Sequence, residues 1–395
     1  MKNRCLVLCI TTLALVACEE KVLGPTDSSH GKPGVVTEVT VNRLPGGADI
    51  FYRIPDSEDL LAIKAVYTIT NGTKREASAF YYDNHLVLEG FADTLLHEAQ
   101  LYAVNRAQEL SDPVTVPFQP LESPLNKTVK SVKIEPDFGG ANFSWVNTDS
   151  TTLTFEILTP DSNGKMQTAS IFTSNKDTVN YIIHGYAAEP RQFGLVVSDN
   201  FGNASDMITS PEGFTPLQED KLDKKLMSLV HLNPGDSWLD GWGFLEESLL
   251  DDDVSTIMHS RPSSMPVRYT IDLGKKAQLS RLVVHNRLMA TYYVNGNPKY
   301  FDVFRNIPET ISQSAIASEW QKIATFTEIK PSGLAGIEST SADNRVAARG
   351  FSFDFPRDMP PTRYLRFEHP SSAATWENKQ YVHIAEFTFF GTYDE

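Results

Sequence analysis

The residues best equipped for chemistry in this chain gather in its C-terminal third. Asp251, Asp252 and Asp253 follow one another, with Ser255 and Thr256 just behind them. Asp251, Asp253 and Thr256 can offer side-chain and backbone oxygens from one tight loop. Calcium takes about six to eight such oxygens, at about 2.3 to 2.6 Å. The same spacing also suits an acidic turn that faces water. Further on, Arg287 is followed by Tyr292, Tyr293 and Asn295, and Trp376 stands near Asn378. Flat rings for the C–H faces of a pyranose, with a few polar side chains for its hydroxyls, are what sugar binding requires. The competing reading is structural, because aromatics in β domains are more often core and an arginine is more often an internal ion-pair partner.

Signatures of catalysis are missing from the sequence. His97-Glu98 has no second histidine four residues after the first, as a zinc helix would, and there is neither a Gly-x-Ser-x-Gly elbow nor a phosphate loop. The nine histidines are scattered singly. Lys and Arg number 35 against 50 Asp and Glu, a net charge of -15, which argues against a nucleic-acid partner. All three cysteines, Cys5, Cys9 and Cys18, fall in the first eighteen residues, so no disulfide, thiol nucleophile or thiolate metal site is available downstream. We expect no enzyme.

The elements that must position these residues are strands. With 395 residues, 41% hydrophobic and 22% charged, the chain has the composition of a folded protein of two to four domains. Short alternating or β-branched runs are separated by closely spaced turn residues, and no long amphipathic helix is evident. A first block predicts strands at 36–42, 48–52, 61–70, 77–82, 85–89 and 101–105, with Asn71-Gly72 as a hairpin turn. A second predicts strands at 129–136, 141–145, 151–158, 166–172, 180–183 and 193–199, closed by the turn Asp199-Asn200-Phe201-Gly202-Asn203. A connector follows, with a charged piece over 218–229 that could turn as a helix. The last block holds Trp238, Trp242, Trp320 and Trp376, and we expect Trp238 and Trp242 to pack rather than bind. The fold class is all-β. Two sandwiches of the immunoglobulin or fibronectin-III kind, at 36–123 and 124–215, precede a connector at 216–235 and a longer domain at 236–395.

The first residues are a targeting signal. Lys2 and Arg4 open it, an apolar run from Cys5 to Val16 continues it, and Leu15-Val16-Ala17-Cys18 closes it. That ending resembles a bacterial lipobox, which implies removal of 1–17, lipidation at Cys18 and anchoring in the outer membrane. Residues 18–35, with Gly24, Pro25, Ser28, Ser29, Gly31, Pro33 and Gly34, read as a flexible tether. Glu19 and Glu20 resemble the surface-export signal of Bacteroidetes lipoproteins, which implies a body facing the cell exterior.

The last block resembles the discoidin, or factor type C, family of galactose-binding-like jelly rolls. The likeness runs over about 145 residues, from the acidic loop at 249–260 through Tyr269-Thr270-Ile271-Asp272-Leu273-Gly274, the strand ending at Arg287, Pro298 to Phe304, Trp320 to Ile323 and Thr362 to Phe367 to the final strand beginning His383-Ile384-Ala385-Glu386. It implies a structural calcium ion held by Asp251, Asp253 and Thr256, with the Leu249 carbonyl and the remote carboxylate of Glu386. It also implies carbohydrate binding at the strand end carrying Arg287. Tyr292, Tyr293 and Asn295 would lie in the next loop, Trp376 in the loop before the last strand and His259 where related loops place a polar contact. Two positions depart from the family: Asp252 replaces its usual glycine, and Met258 its usual tryptophan.

The whole layout resembles the surface glycan-binding lipoproteins of Bacteroidetes polysaccharide utilisation loci. Gly46-Gly47-Ala48-Asp49-Ile50 and Leu60 to Tyr67 make the first domain similar to domain-of-unknown-function families found there, which implies a spacer. The expected role is to bind polysaccharide or oligosaccharide and present it to a neighbouring outer-membrane transporter and its partner lipoproteins. The alternative is a protein-docking subunit of such a complex that binds no sugar.

Overall fold

The computed structural model describes residues 31–394 apart from 263, 264, 309, 314 and 315, so Cys18, the lipobox and most of the tether lie outside the described residues. Within them the chain is all-β, with two sandwiches followed by a jelly roll and only short helices between. In the first sandwich, Thr37–Leu44, Gly47–Arg53 and His85–Glu89 form one antiparallel sheet, and Lys74–Phe80, Leu60–Thr68, His97–Asn105 and Val114–Phe118 form the other. Side chains alternate across a strand. Ile63, Ala65, Ala99 and Leu101 are therefore driven inward together onto Ile50 and Leu88, and all six are fully buried.

The second sandwich repeats the design. Lys133–Asp137, Gly140–Val146 and Thr178–Ile183 face Leu153–Pro160, Met166–Ser174 and Gly194–Ser198. Trp145 stacks on Phe155 at 4.0 Å in its core. Both sandwiches open on the same device. Gly46 and Gly139 turn the chain at φ of 65° and 64°, and the next glycine lets a neighbouring strand pass close by. A Cβ on Gly47 would stand 2.1 Å from the Leu88 carbonyl oxygen, and one on Gly140 would stand 1.8 Å from that of Ile183. Backbone, not a flexible side chain, would have to yield. Gly140→Ala is thus expected to cost the second sandwich roughly 2 to 3 kcal/mol, read as a lower midpoint in denaturant melts. An unchanged midpoint would mean that the strands separate freely there.

The stretch read as a strand from residue 129 begins instead as the helix Pro124–Ser131. Ser123 caps it, its Oγ accepting from the Asn126 amide at 3.2 Å, and proline occupies the first turn, where its missing N–H costs nothing. The helix joins the two sandwiches, because the Asn126 side chain donates to the Ala92 carbonyl at 2.5 Å while Leu125 is buried in the second core. The turn at 199–203 completes that joint. Phe201 packs on Gly90 and the first core, the Arg75 guanidinium covers its ring at 5.0 Å, and Asn203 Nδ2 donates to the Gly90 carbonyl at 3.0 Å.

The jelly roll is built on one long strand, Val267–His285, flanked by Glu386–Tyr393 and Thr362–His369. Tyr300–Asn306 and Trp320–Thr327 extend the sheet, and Met258–His259 pairs with His383–Ile384. Phe301, Phe367, Phe387, Phe389 and Met258 are fully buried at its centre. Met258 is fully buried there and fills the core with a flexible side chain.

The connector is not a helix. Asp220–Lys221 pairs with the last strand, Lys224–Leu226 makes a single 3-10 turn, and Ser228–Val230 pairs with Val267–His285. Leu222 and Met227 are buried in the jelly-roll core. Core contact at these positions outweighs the helix preference of a lysine-rich stretch. The second joint lies here as well. The Glu219 carboxylate accepts from Ser280 Oγ at 2.6 Å and Arg281 Nη2 at 3.0 Å, and it lies 3.5 Å from His184 of the second sandwich.

Candidate functional site: a cleft at the end of the jelly roll

A cleft of about 750 Å3 opens where the strand Val267–His285 ends. Phe244, Leu245, Val254 and Thr256 form one wall, and Arg287 and Tyr292 belong to the other. Phe244 and Leu245 follow the tight turn Gly241–Gly243, in which Trp242 adopts a φ of 59° and Gly243 a φ of 82°, while Val254 and Thr256 come from the acidic loop. Gly241 has no room for a side chain, because a Cβ would meet the Ser260 carbonyl oxygen at 2.6 Å. The second wall is clamped by the fully buried Asn297. Its Oδ1 accepts from the Arg287 amide at 3.1 Å, and its Nδ2 donates to the carbonyls of Arg287 and Tyr292, both at 2.8 Å.

Arg287 makes no ion pair or side-chain hydrogen bond among the described residues. Its guanidinium instead lies 5.6 Å from the centre of the Phe244 ring. That ring runs parallel to His259, 5.9 Å away at 11°, and His259 stacks in turn on Tyr381 at 4.8 Å. Burial, with a smaller contribution from Arg287, holds the His259 imidazole below its ordinary pKa. His383 behind it is pushed down to about 3, by burial first and then by His259 and Arg287. Both imidazoles are neutral at physiological pH, which leaves Arg287 as the cleft's positive charge. Asn286 also lines the cleft, and its buried Oδ1 finds no donor.

Of the six candidate sugar-binding residues, the cleft brings together Arg287 and Tyr292. The other four serve the fold. Tyr293 is fully buried and donates to the Asp343 carbonyl at 2.8 Å. Trp376 meets Tyr293 edge to face at 5.1 Å, donates to Glu328 at 2.9 Å and lies under the Lys330 ammonium at 4.5 Å. Asn295 makes a tight turn at φ 58°, where its Oδ1 accepts from the Tyr381 hydroxyl at 2.5 Å. His259 is 6% exposed and shares a hydrogen bond with the Ser260 carbonyl, so it supports the floor from beneath. Tyr293 and His259 are therefore buried away from any ligand, whereas Trp376 and Asn295 are partly exposed but stand outside the cleft, with their polar atoms spent on the fold.

Sequence reasoning overlooked Phe244 and Leu245. A signal existed, since Gly241-Trp242-Gly243-Phe244 places aromatics between glycines, the composition of a turn that shows its side chains. Trp242, expected to pack, is 77% exposed, and Trp238 is half-exposed, lying between His231 at 4.1 Å and the Arg261 guanidinium at 5.2 Å.

The acidic loop does not fit calcium. Asp251 Oδ2 accepts from Thr256 Oγ1 at 2.7 Å, and Asp253 Oδ1 accepts from Ser255 at 2.8 and 2.6 Å. Leu249 is buried in the core. Where the family has glycine, Asp252 takes the same left-handed conformation, at φ 65°, and its carboxylate lies 2.6 Å from the Lys221 ammonium and 2.8 Å from that of Lys224. Glu386 lies 2.7 Å from Lys224 as well. Among the described residues no three His, Cys, Asp or Glu side chains are grouped to hold a metal. Of the expected ligand set Leu249, Asp251, Asp253, Thr256 and Glu386, the carboxylates of Asp251 and Asp253 are engaged by Thr256 and Ser255, and that of Glu386 by Lys224.

Three family models match the chain, each described as a domain of unknown function: DUF4959 over residues 33–120, DUF5126 over 121–225 and DUF5000 over 248–391. No curated protein matches it. Among solved structures, the SusE-like protein BT2857 is similar at 28% identity over 68% of this chain and 98% of that one, with a TM-score of 0.43. The C-terminal domain of a chitobiase from Bacteroides fragilis is 15% identical over 45% of this chain and all of its own, with a TM-score of 0.33. The CBM32-1 module of a family 31 glycoside hydrolase from Clostridium perfringens is 15% identical over 42% and 94% of the two chains, with a TM-score of 0.27. No helix of the described residues is long and apolar enough to cross a membrane.

Proposed function

We propose that this chain is a non-catalytic, lipid-anchored glycan-binding protein of the cell surface that takes a saccharide in the cleft at Arg287 and presents it to outer-membrane uptake machinery. The observation that carries this reading is the unpaired Arg287 guanidinium beside the Phe244 ring in a cleft of small-molecule size. A guanidinium has a planar fork of donors suited to neighbouring hydroxyls, and the rings of Phe244 and Tyr292 suit the C–H face of a pyranose. Through the lipid at Cys18 the two sandwiches would act as a stalk, and many copies on one membrane would let weak single sites hold a long polymer.

The test is a glycan array and affinity electrophoresis on the chain from residue 19 onward. Arg287→Ala is expected to weaken binding at least roughly tenfold while moving the melting temperature little, since among the described residues its guanidinium meets the Phe244 ring and no carboxylate. Trp376→Ala is expected to destabilise the domain instead. A second reading has its own support: Trp242, Leu245, Val254 and Leu288 expose 57 to 77% of their surface at or beside the cleft, as a protein-docking patch would. Folded protein that binds no glycan across a broad panel, yet captures a transporter or lipoprotein of the same surface system, would favour that reading. Turnover of a labelled oligosaccharide would overturn the non-catalytic assignment.

A further inference from the structure

We infer that the Lys224 ammonium takes the place of a structural cation in the jelly roll, locking the connector to the acidic loop with no divalent ion, and that removing this ammonium opens a cation site. Lys224 is a charged residue carried into the interior, 9% exposed overall with 5% of its side chain reachable. Its nitrogen touches Glu386 Oε1 at 2.7 Å and Asp252 Oδ1 at 2.8 Å, so it bridges the last strand and the acidic loop. Lys221 adds a second charge to Asp252 from the solvent side.

The oxygens around it are arranged for a positive charge and for little else. Glu386 is 2% exposed, and the Lys224 ammonium is the one cation paired with it among the described residues, with a weaker contribution from the Asp252 backbone. A buried carboxylate without a counter-charge is strongly unfavourable, and a compact cation is what such a site requires. Lysine meets that requirement from within the chain. Its stem cannot swing away, because Leu222 and Met227 on either side are buried in the core and Lys221 is in register with Phe390. An ion could dissociate at low concentration, whereas this ammonium is tethered at both ends of its turn. Asp252 completes the arrangement, since its carboxylate faces both Lys221 and Lys224.

The experiment compares thermal unfolding of the chain from residue 19 onward, as wild type, Lys224→Met and Lys224→Arg, in EDTA and in millimolar calcium. Wild type and Lys224→Arg are expected to melt at the same temperature in both buffers. Lys224→Met is expected to melt lower in EDTA and to gain about 5 °C or more when calcium exceeds its dissociation constant about a hundredfold. Calorimetric titration with calcium should then show one site in Lys224→Met and none in wild type. Wild type that is stabilised by calcium or weakened by EDTA would overturn the inference, as would a folded Lys224→Met that ignores calcium. If Lys224→Met does not fold in EDTA, its recovery in calcium supports the inference, and failure to fold in both buffers would overturn the claim that a cation can replace the ammonium.

Discussion

Raising the pH from about 4.5 to about 8.5 is expected to weaken the jelly roll by on the order of 4 kcal/mol through the single carboxyl of Glu328, and Glu328→Gln is expected to remove that loss. Glu328 follows the strand Trp320–Thr327 and is 3% exposed. Its Oε2 accepts from Trp376 Nε1 at 2.9 Å and Asn286 Nδ2 at 2.8 Å, while Oε1 has no partner. Burial pushes the carboxyl up to about 8, against the smaller pull of those two hydrogen bonds. The folded protein therefore keeps this proton over a range in which the unfolded chain has released it. The contribution is whole below the unfolded value near 4.5, shrinks as pH rises and is gone above about 8.

Two other groups change in the same direction. Burial raises Glu386 to about 7 against the pull of Lys224. Burial opposes the rise of His184, but hydrogen bonds to Asp354 and Glu219 carry it to about 9, so its contribution is present below 6.5 and is lost as pH climbs through 9. Only the difference between wild type and Glu328→Gln isolates Glu328, because glutamine still accepts from Trp376 and Asn286 without a charge to bury. Denaturant melts at pH 5, 7 and 9 would measure it, and parallel curves for the two proteins would refute the assignment. The effect reaches the cleft, since Asn286 lines one side of it.

Removing the Glu219 carboxylate is expected to cost about 3 to 5 kcal/mol and to unlock the second sandwich from the jelly roll. This side chain is only 4% exposed and is held from both sides. Ser280 and Arg281 donate from the long strand of the jelly roll, and His184 approaches from the second sandwich while its Nε2 shares a hydrogen bond with Asp354 at 2.9 Å. Burial works against the charge on Glu219, but His184, Arg281 and Ser280 outweigh it and hold the carboxyl down at about 2. Its contribution is therefore intact above its unfolded value near 4.5 and fails only as pH falls toward 2. Arg281 also lies over Phe390 at 3.7 Å, so it cannot follow a lost partner into water without leaving the sheet. Glu219→Ala would leave the Arg281 guanidinium without its carboxylate beside the His184 ring. Solution scattering should show the chain extending or flexing, and NMR titration should show the His184 pKa falling part of the way, with Asp354 still holding it up. A variant with the melting temperature and scattering profile of wild type would mean that the joint is held by something other than this cluster.

Much of the fold was legible in the sequence because strand periodicity is local. Leu60–Thr68 and Leu153–Pro160 alternate buried and partly exposed positions, and that period of two is written in consecutive residues. The helix at Pro124–Ser131 was not read, although Ser123 followed by proline is a helix start, because the β-branched Val129 and Val132 suggested a strand from 129. The cleft was half legible. Arg287 and Tyr292 lie five residues apart on one loop, so one buried asparagine suffices to set both.

What the sequence by itself determined is the all-β class, the order of its alternating segments and the clustering of aromatics toward the C-terminus. What only the tertiary structure decided is which aromatic faces water and which charge meets which. Trp376 and Trp242 are the same residue type, yet one is enclosed by Tyr293, Glu328 and Lys330 and the other is 77% exposed. Lys224 likewise sits in a charged stretch that reads as solvated, until the burial of Leu222 and Met227 carries it to Glu386, far along the chain. The physical reason is that alternation depends on neighbours in sequence, whereas burial and charge pairing depend on neighbours in space. Those neighbours lie from about fifty residues away for Trp376 to more than a hundred and fifty for Lys224 and Glu386, and no local pattern records which of them will meet.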